Sequence, residues 1–531
     1  MKTKIRLLCA LLLISSVRGA TYFAASAAYI DVQAVADSSF NPALADGDTV
    51  IVPAGTASWT SSLTVTKGIL LQGAGNDTTI LRDNVIPRSE LVQVSLTSSQ
   101  LFRLTGFTFR YGSLTGLGGN GGIRLGGTCP SVRVDHCHFD RLYQDHNIEI
   151  FGWLYGVIDH CTFDIREKGG ATASVYHDGW GNQPSGWGSW ADPPYFGSEK
   201  FIFFEDNVIN NLGAAPNHGS IDAARGGRYV ARHNTFNNCN LFYHGSDSGA
   251  GGAYFRGTRA VEIYNNTFAG SLSGLPAGQD RSGPLILHDN IYTGTYSGGM
   301  TLRPYRLFDG GINGPPGSWG SRANGANPWD YNATEPDGTH VDGHAPYTFA
   351  TGAHTGANNS ESVTVSGTPW TTNQWAGYVV TNTKVGSPYY GGGNYISSNT
   401  SNTLTCANLQ DEIPLPEFNT GDTFVIRKVL IVLDQPGRGQ SDLIVGNPAG
   451  STNLTGTNWP AWTHQALEPC YSWNNTLNGS NLNFGNDDSQ NILRANIDYY
   501  NNTPMPGYTP YIYPHPLVSG ARAPTHLRVV P

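Results

Sequence analysis

The strings VRVDHCHF at 132–139, GVIDHCTF at 156–163, FIFFEDNVI at 201–209, YVARHNTF at 229–236, VEIYNNTF at 261–268 and LILHDNIY at 285–292 decide the fold. Each is an alternating apolar strand that runs into a polar pair, usually ending in Asn, and then an apolar residue. Looser copies follow as YSWNNT from Tyr471 and IDYYNNT from Ile497. Steps between the equivalent residues Cys137, Cys161, Asn207, Asn234, Asn266 and Asn290 are 24, 46, 27, 32 and 24. The long step reads as two coils, or as one coil carrying a long loop. Units of about two dozen β-rich, Gly-punctuated residues describe a solenoid whose coils bury a shared core. A helical solenoid needs apolar residues at 3.6 spacing, and these strings alternate instead. A propeller needs about 40 residues per blade. The recurring Asn suits the bend, because it tolerates left-handed backbone and its amide can pair with the Asn one coil above. The expected fold is all-β, a right-handed parallel β-helix.

Flanking sequence extends this reading. GDTVIVPAGT at 47–56 and TVTKGILLQGAG at 64–75 alternate like first-coil strands, and residues 31–45 are expected to form a short cap over the solenoid end. With these elements the chain resembles the secreted right-handed parallel β-helix proteins of the pectate-lyase-like superfamily, over roughly 30–310 and 430–520. The resemblance is carried by the opening string and the Asn ladder. It implies the fold; many activities share this scaffold. From about 330 to 428 the repeat stops, and WAGYVV from Trp375 and TFVIRKVLIVL from Thr423 read as a small inserted β module. An elaborate solenoid loop is the alternative. The expected division is a signal peptide at 1–28, cap and main coils at 29–329, the module at 330–428, and last coils and tail at 429–531.

Lys2, Lys4 and Arg6 precede an apolar run from Leu7 to Ile14, followed by small residues. That is the layout of a secretory signal, too short to span a bilayer. Cleavage is expected near Gly19, or after Ala27 or Ala28. The mature chain should be extracellular or periplasmic, without membrane insertion, and a solenoid capped at both ends can be a monomer. Charged residues make up 13% of the chain and the net charge is −9. This excludes a coiled coil and a Lys-rich nucleic-acid binder, and leaves no electrostatic case for a nucleic-acid partner. The echo Asp135-His136-Cys137 and Asp159-His160-Cys161 reads as a buried stack of small side chains. A zinc site would need closely spaced thiols and imidazoles.

Stacked coils create a groove along one outer face. The strings GIRLGG from Gly122, IEIFGW from Ile148, SVYHDGW from Ser174, GSIDAARGG from Gly219 and AYFRGT from Ala253 align across it. Alternation points Ile123, Ile148, Val175 and Ile221 inward. Arg124, Glu149, Asp222, Arg225 and Arg256, with His177 and Asp178, then point outward. Acids and guanidiniums stacked about 5 Å apart suit a charged sugar; a solvated face with neutralising ion pairs would look the same. The loop GWGNQPSGWGSWADPPYFGSEK from Gly179 adds Trp180, Trp187 and Trp190, next to Trp153 of the neighbouring coil. Indole faces either stack on sugar rings or cover the solenoid flank. His218 and His244, each followed by small residues, are further proton-transfer candidates. Arg228, Arg232 and His233 look like partners of neighbouring acids.

These features point to a polysaccharide lyase acting on a uronate-containing glycan by β-elimination. The chemistry removes the proton beside the carboxylate, and the enolate-like charge needs Arg, Lys or a divalent ion. The resemblance implies Ca²⁺, for which Glu149, Asp178 and Asp222 are the candidate ligands. It also implies an Arg, Lys or His base. Arg225 or Arg256 would neutralise the carboxylate or take the proton, and otherwise His177, His218 or His244 would be the base. The chain has no close match to the acid cluster or arginine motif of the best-known pectate lyases, and no Asn-Thr-Asp string of the polygalacturonase kind. A glycoside hydrolase using paired carboxylates, a uronate epimerase and a non-catalytic glycan-binding or adhesion module are the alternatives.

Overall fold

The computed structural model describes residues 19–119, 121–166, 170–213, 220–245, 247–249, 253–304, 348–390, 392–407, 417–427, 434–441, 465–487 and 493–519. Parallel strands stack coil on coil into a 16-stranded and an 11-stranded sheet, continued by a four-stranded one. The chain is an all-β parallel solenoid. Two long strands, Ile123–Asp135 and His146–Asp159, turn the corner between two faces, with a register shift between Cys129 and Val132. One face therefore carries Val92–Leu96, Ala171–Tyr176 and Ser220–Ala224 beside the first halves of the long strands. The next carries the repeat strings, and the third carries the strands that follow them.

The interior follows from alternation. Phe109, Phe139 and Phe163 stack at 5.3 and 4.7 Å, and Phe236, Phe268 and Tyr292 at 4.6 and 4.3 Å. At the corner after each repeat string, the Asn207 amide donates to Asn234 Oδ1, Asn234 to Asn266 and Asn266 to Asn290, each at 3.0 Å. Asn290 continues to Asn475 at 2.9 Å, so the ladder resumes at YSWNN, 185 residues later. Cys137 and Cys161 occupy the ladder position in earlier coils and are buried free thiols. In one respect the expectation is corrected. The left-handed residue is the one before the ladder position: His136, His160, Asp206, His233, Asn265, Asp289 and Asn474 have φ of 50 to 57°. The Asn itself is selected for its amide.

Tyr29–Ala36 forms the cap helix, burying Val32 and Ala36. Thr21–Phe23 pairs with Thr49–Ile51 as the first strand. Thr348–Ala353, Ser362–Thr364, Val379–Asn382, Gly393–Asn399, Thr403–Ala407 and Thr423–Arg427 form a six-stranded sheet with antiparallel pairing and its own core around Trp375, Ile396 and Phe424. Cys470–Trp473 then rejoins the solenoid against Leu285–His288. The tail straps the outer side of the second face: Arg232 donates to the carbonyls of Tyr511 and Ile512, and Arg133 to that of Leu517. Among the described residues no helix is long and apolar enough to cross a membrane.

Asn234 sits mid-ladder and its side chain takes part in four hydrogen bonds, including those from the Asn207 backbone and side-chain N–H groups. Replacing it by Ala strands the buried Asn207 N–H donors and takes the amide donor from Phe204 O and Asn266 Oδ1, so unfolding in urea should show a loss of about 2–3 kcal/mol. Asn237→Ala, which removes a part-buried outer bond to Asn210, should cost under about 1 kcal/mol. Equal losses would contradict this account of the ladder.

Candidate functional site

Register places Arg124, Glu149, Ser174 and Asp222 at one position of four successive strands on the first face. Because neighbouring strands lie about 4.8 Å apart, these side chains form one polar column. Their flanking residues Ile123, Leu125, Ile148, Ile150, Ile221 and Ala223 are buried, which drives the column outward. Each acid meets a base. Arg124 Nε lies 2.8 Å from Glu149 Oε2, Arg225 Nη1 3.0 Å from Asp178 Oδ2, and His244 Nε2 3.1 Å from Asp222 Oδ2. Phe151 and Tyr176, two residues further along their strands, form the platform. The Arg124 guanidinium lies 4.9 Å from the Phe151 ring, and that of Arg225 lies 5.7 Å from Phe151 and 5.2 Å from Tyr176.

Burial pushes the Glu149 carboxyl up from its ordinary 4.5 to about 7, against the pull of Arg124. The Arg124 contact does not offset desolvation, because Oε2 gains no aligned hydrogen bond from it. Burial also raises Asp178, the Arg225 hydrogen bond notwithstanding. His244 is 41% exposed and held by the Asp222 carboxylate, the arrangement of an oriented imidazole that solvent and ligand can reach. Its strand neighbour provides the anchor: His244 N donates to Ala223 O at 2.9 Å.

Four expected site residues belong to the scaffold instead. His177 shares the inward parity of Val175; it is buried, bonds Gly152 O through Nδ1 at 2.9 Å, and is lowered by burial to about 4. Arg256 is fully buried and bidentate to Asp434, at 2.6 Å through Nη2 and 2.9 Å through Nε. Trp180 and Trp190 are 1% and 0% exposed. Trp190 donates to Gly257 O and lies under Arg256, while Trp180 donates to Asp192 and packs on Trp153. The tryptophan loop thus covers the solenoid flank. Arg228 holds it there through the Pro193 and Pro194 carbonyls rather than through an acid. Arg232 does pair with an acid, Glu205, and His233 stacks on Tyr513 at 3.9 Å. Trp153 and Trp187 stay half-buried. His218 lies outside the described residues.

Glu149, Asp178 and Asp222 do not fit a calcium cage. Each is engaged by a different base, and Ser174 separates Glu149 from Asp222 in the column. Among the described residues, the one group of three or more His, Cys, Asp or Glu ligands close enough to share an ion is His138, Asp140 and Asp164, on the third face. There Arg110 and Arg141 already neutralise Asp140. Sequence reasoning missed His146, Phe151 and Tyr176. His146 is buried at the strand start beside Glu149, with the inward parity of Ile148.

No protein-family model matches the chain, and no curated protein matches it. Among solved structures it is similar to ORF18 of Geobacillus virus E2, at 14% identity and a TM-score of 0.28. The match covers 48% of this chain and 47% of that one, so the chain spans about half the length of that structure. It is also similar to the A-modules of two mannuronan C-5 epimerases of Azotobacter vinelandii, AlgE4 and AlgE6. Identities are 16% and 15%, and TM-scores 0.24 and 0.20. Each match covers 52% of this chain, and 93% and 91% of the modules. Likenesses of this size say nothing about activity. The class of protein rests on the coil geometry: a parallel β-solenoid with a charged column on its first face.

Two outcomes follow. The raised Glu149 favours folding below about pH 4.5, and that contribution is lost as pH rises to about 7. Glu149→Gln should remove it, so the stability difference between variant and wild type should grow in the variant's favour across that window. Arg256→Ala leaves Asp434 buried without its guanidinium and should cost about 3–5 kcal/mol, measured by denaturant unfolding.

Proposed function

We propose that the protein is a secreted carbohydrate-active enzyme of the pectate-lyase-like kind, cleaving a uronate-containing polysaccharide by β-elimination at the first-face groove. The observation that carries this is the Asp222–His244 pair beside two half-exposed guanidiniums, Arg124 and Arg225, on an aromatic platform. A uronate carboxylate is planar and matches a guanidinium. Neutralising it there lowers the cost of charge that develops when the adjacent C–H is broken. With Nε2–H donated to Asp222, His244 Nδ1 carries the basic lone pair. It takes the C5 proton, the C–H electrons form the C4–C5 double bond, and the C4–O bond breaks toward the departing sugar. The imidazolium so formed returns its proton to that oxygen. No step needs a calcium ion held by Glu149, Asp178 and Asp222.

A second reading has its own observation. Glu149 and Asp222 lie two strands apart, about 9–10 Å along the column, near the separation of about 6.5–9.5 Å used by inverting hydrolases. The raised Glu149 would then be the acid. Polygalacturonate, alginate and hyaluronan incubated with the protein separate the two: unsaturated-uronate absorbance rising with reducing ends supports elimination, whereas reducing ends alone would replace it by hydrolysis. On a cleaved polymer, His244→Ala should lower kcat by about 10²–10⁴ with an unchanged melting temperature. Loss of binding with kcat intact would contradict the assigned base.

A further inference from the structure

Beside the column, His146 is 5% exposed and its Nε2 has no hydrogen-bond partner. It faces Glu149 Oε1 at 4.0 Å, too far for a direct bond. Its Nδ1 is 3.7 Å from Asp145 Oδ2, also beyond bonding distance. Glu149 Oε2 lies 2.8 Å from Arg124 Nε, so Oε1 is the carboxyl oxygen that faces the ring. Buried polar atoms are nearly always satisfied, so an unpartnered imidazole nitrogen beside the column marks where something else supplies the partner. A gap of 4.0 Å accommodates one oxygen at about 2.8 Å from each atom. That oxygen must accept from an imidazole N–H and donate to a carboxyl oxygen, which a hydroxyl does. A substrate carboxylate would meet Glu149 with like charge, and it has Arg124 and Arg225 to bind instead. Space is limited: a Cβ placed on Gly121 would come within 3.3 Å of His146 Cδ2 and 3.2 Å of Glu149 N.

Building on the polysaccharide reading of this face, we infer that His146 and Glu149 together read a free sugar hydroxyl, so that the groove takes uronate polymers unsubstituted at that position and rejects their O-acetylated forms. An acetyl ester has no proton to donate to Glu149, and its bulk meets the wall at Gly121. A free hydroxyl can make both bonds, whereas an ester oxygen can make at most the one from the imidazole. His146 acts here as a specificity-determining residue, apart from the proton transfer assigned to His244.

The test uses O-acetylated alginate and the same preparation after alkaline deacetylation, with acetylated and deacetylated polygalacturonate in parallel. Wild-type kcat/KM should favour the deacetylated form by roughly ten- to a hundredfold. His146→Ala should bring the ratio to within about twofold, chiefly by slowing the deacetylated substrate, and His146→Gln, which keeps an N–H donor, should restore part of it. Calorimetric binding of both forms to Asp222→Asn gives a readout independent of turnover. Turnover or binding without discrimination overturns the hydroxyl reading and leaves the polysaccharide site standing. Discrimination in binding without turnover by wild type supports it and removes the elimination. Neither binding nor turnover on either pair overturns both.

Discussion

Everything in this molecule depends on one coil lying in register on the next. The strongest expression of that constraint is the run of buried amides from Asn207 through Asn234, Asn266 and Asn290 to Asn475. An Asn side chain can donate upward and accept from below, so each rung satisfies the polar groups of its neighbour inside an apolar wall. A residue with left-handed backbone just before each rung turns the chain so that the amide points inward. Once that corner is pinned, the aromatic stack on one side and the strand alternation on the other are fixed with it. The polar column of the first face is a consequence: Arg124, Glu149, Ser174 and Asp222 share a position because their strands share a register.

A chain poor in charge also sorts its arginines sharply. Arg228, Arg232, Arg256, Arg259 and Arg438 are fully buried, and they tie loop, tail and late coils to the solenoid. Four of them are ion-paired, and removing the acid from such a pair leaves an uncompensated charge, which makes these contacts strict about geometry. Arg124 and Arg225 differ: each keeps over a quarter of its side-chain surface exposed and lies over an aromatic ring. Exposure separates the guanidiniums a ligand can reach from those that hold the fold.

The solenoid was legible because its signal repeats. Six copies of one string reveal both the strand period and the corner, and the late copy at Tyr471 lies in the strand that pairs with Leu285–His288. The same alternation put Asp222, Glu149 and Arg124 at one strand position, as the register does. His177 was misplaced because its parity with Val175 was not carried through the end of the strand, where backbone still points it inward. Trp180 and Trp190 were ambiguous for a different reason: a Gly/Pro-rich loop gives no period from which to read burial. Arg256 looked like a groove residue since its partner Asp434 lies 178 residues away, a contact no local pattern records. His146 carried no signal in the sequence: it has the inward parity of Ile148, and only the structure brings its ring beside Glu149.

The central claim is that the first-face column is where an acidic glycan binds. A crystal structure of the Asp222→Asn variant soaked with a short uronate oligosaccharide tests it most directly. The account predicts sugar density over the Phe151–Tyr176 platform, with a carboxylate on Arg225 or Arg124 and a ring carbon facing His244. Density seated on another face, with that column left untouched, would contradict it.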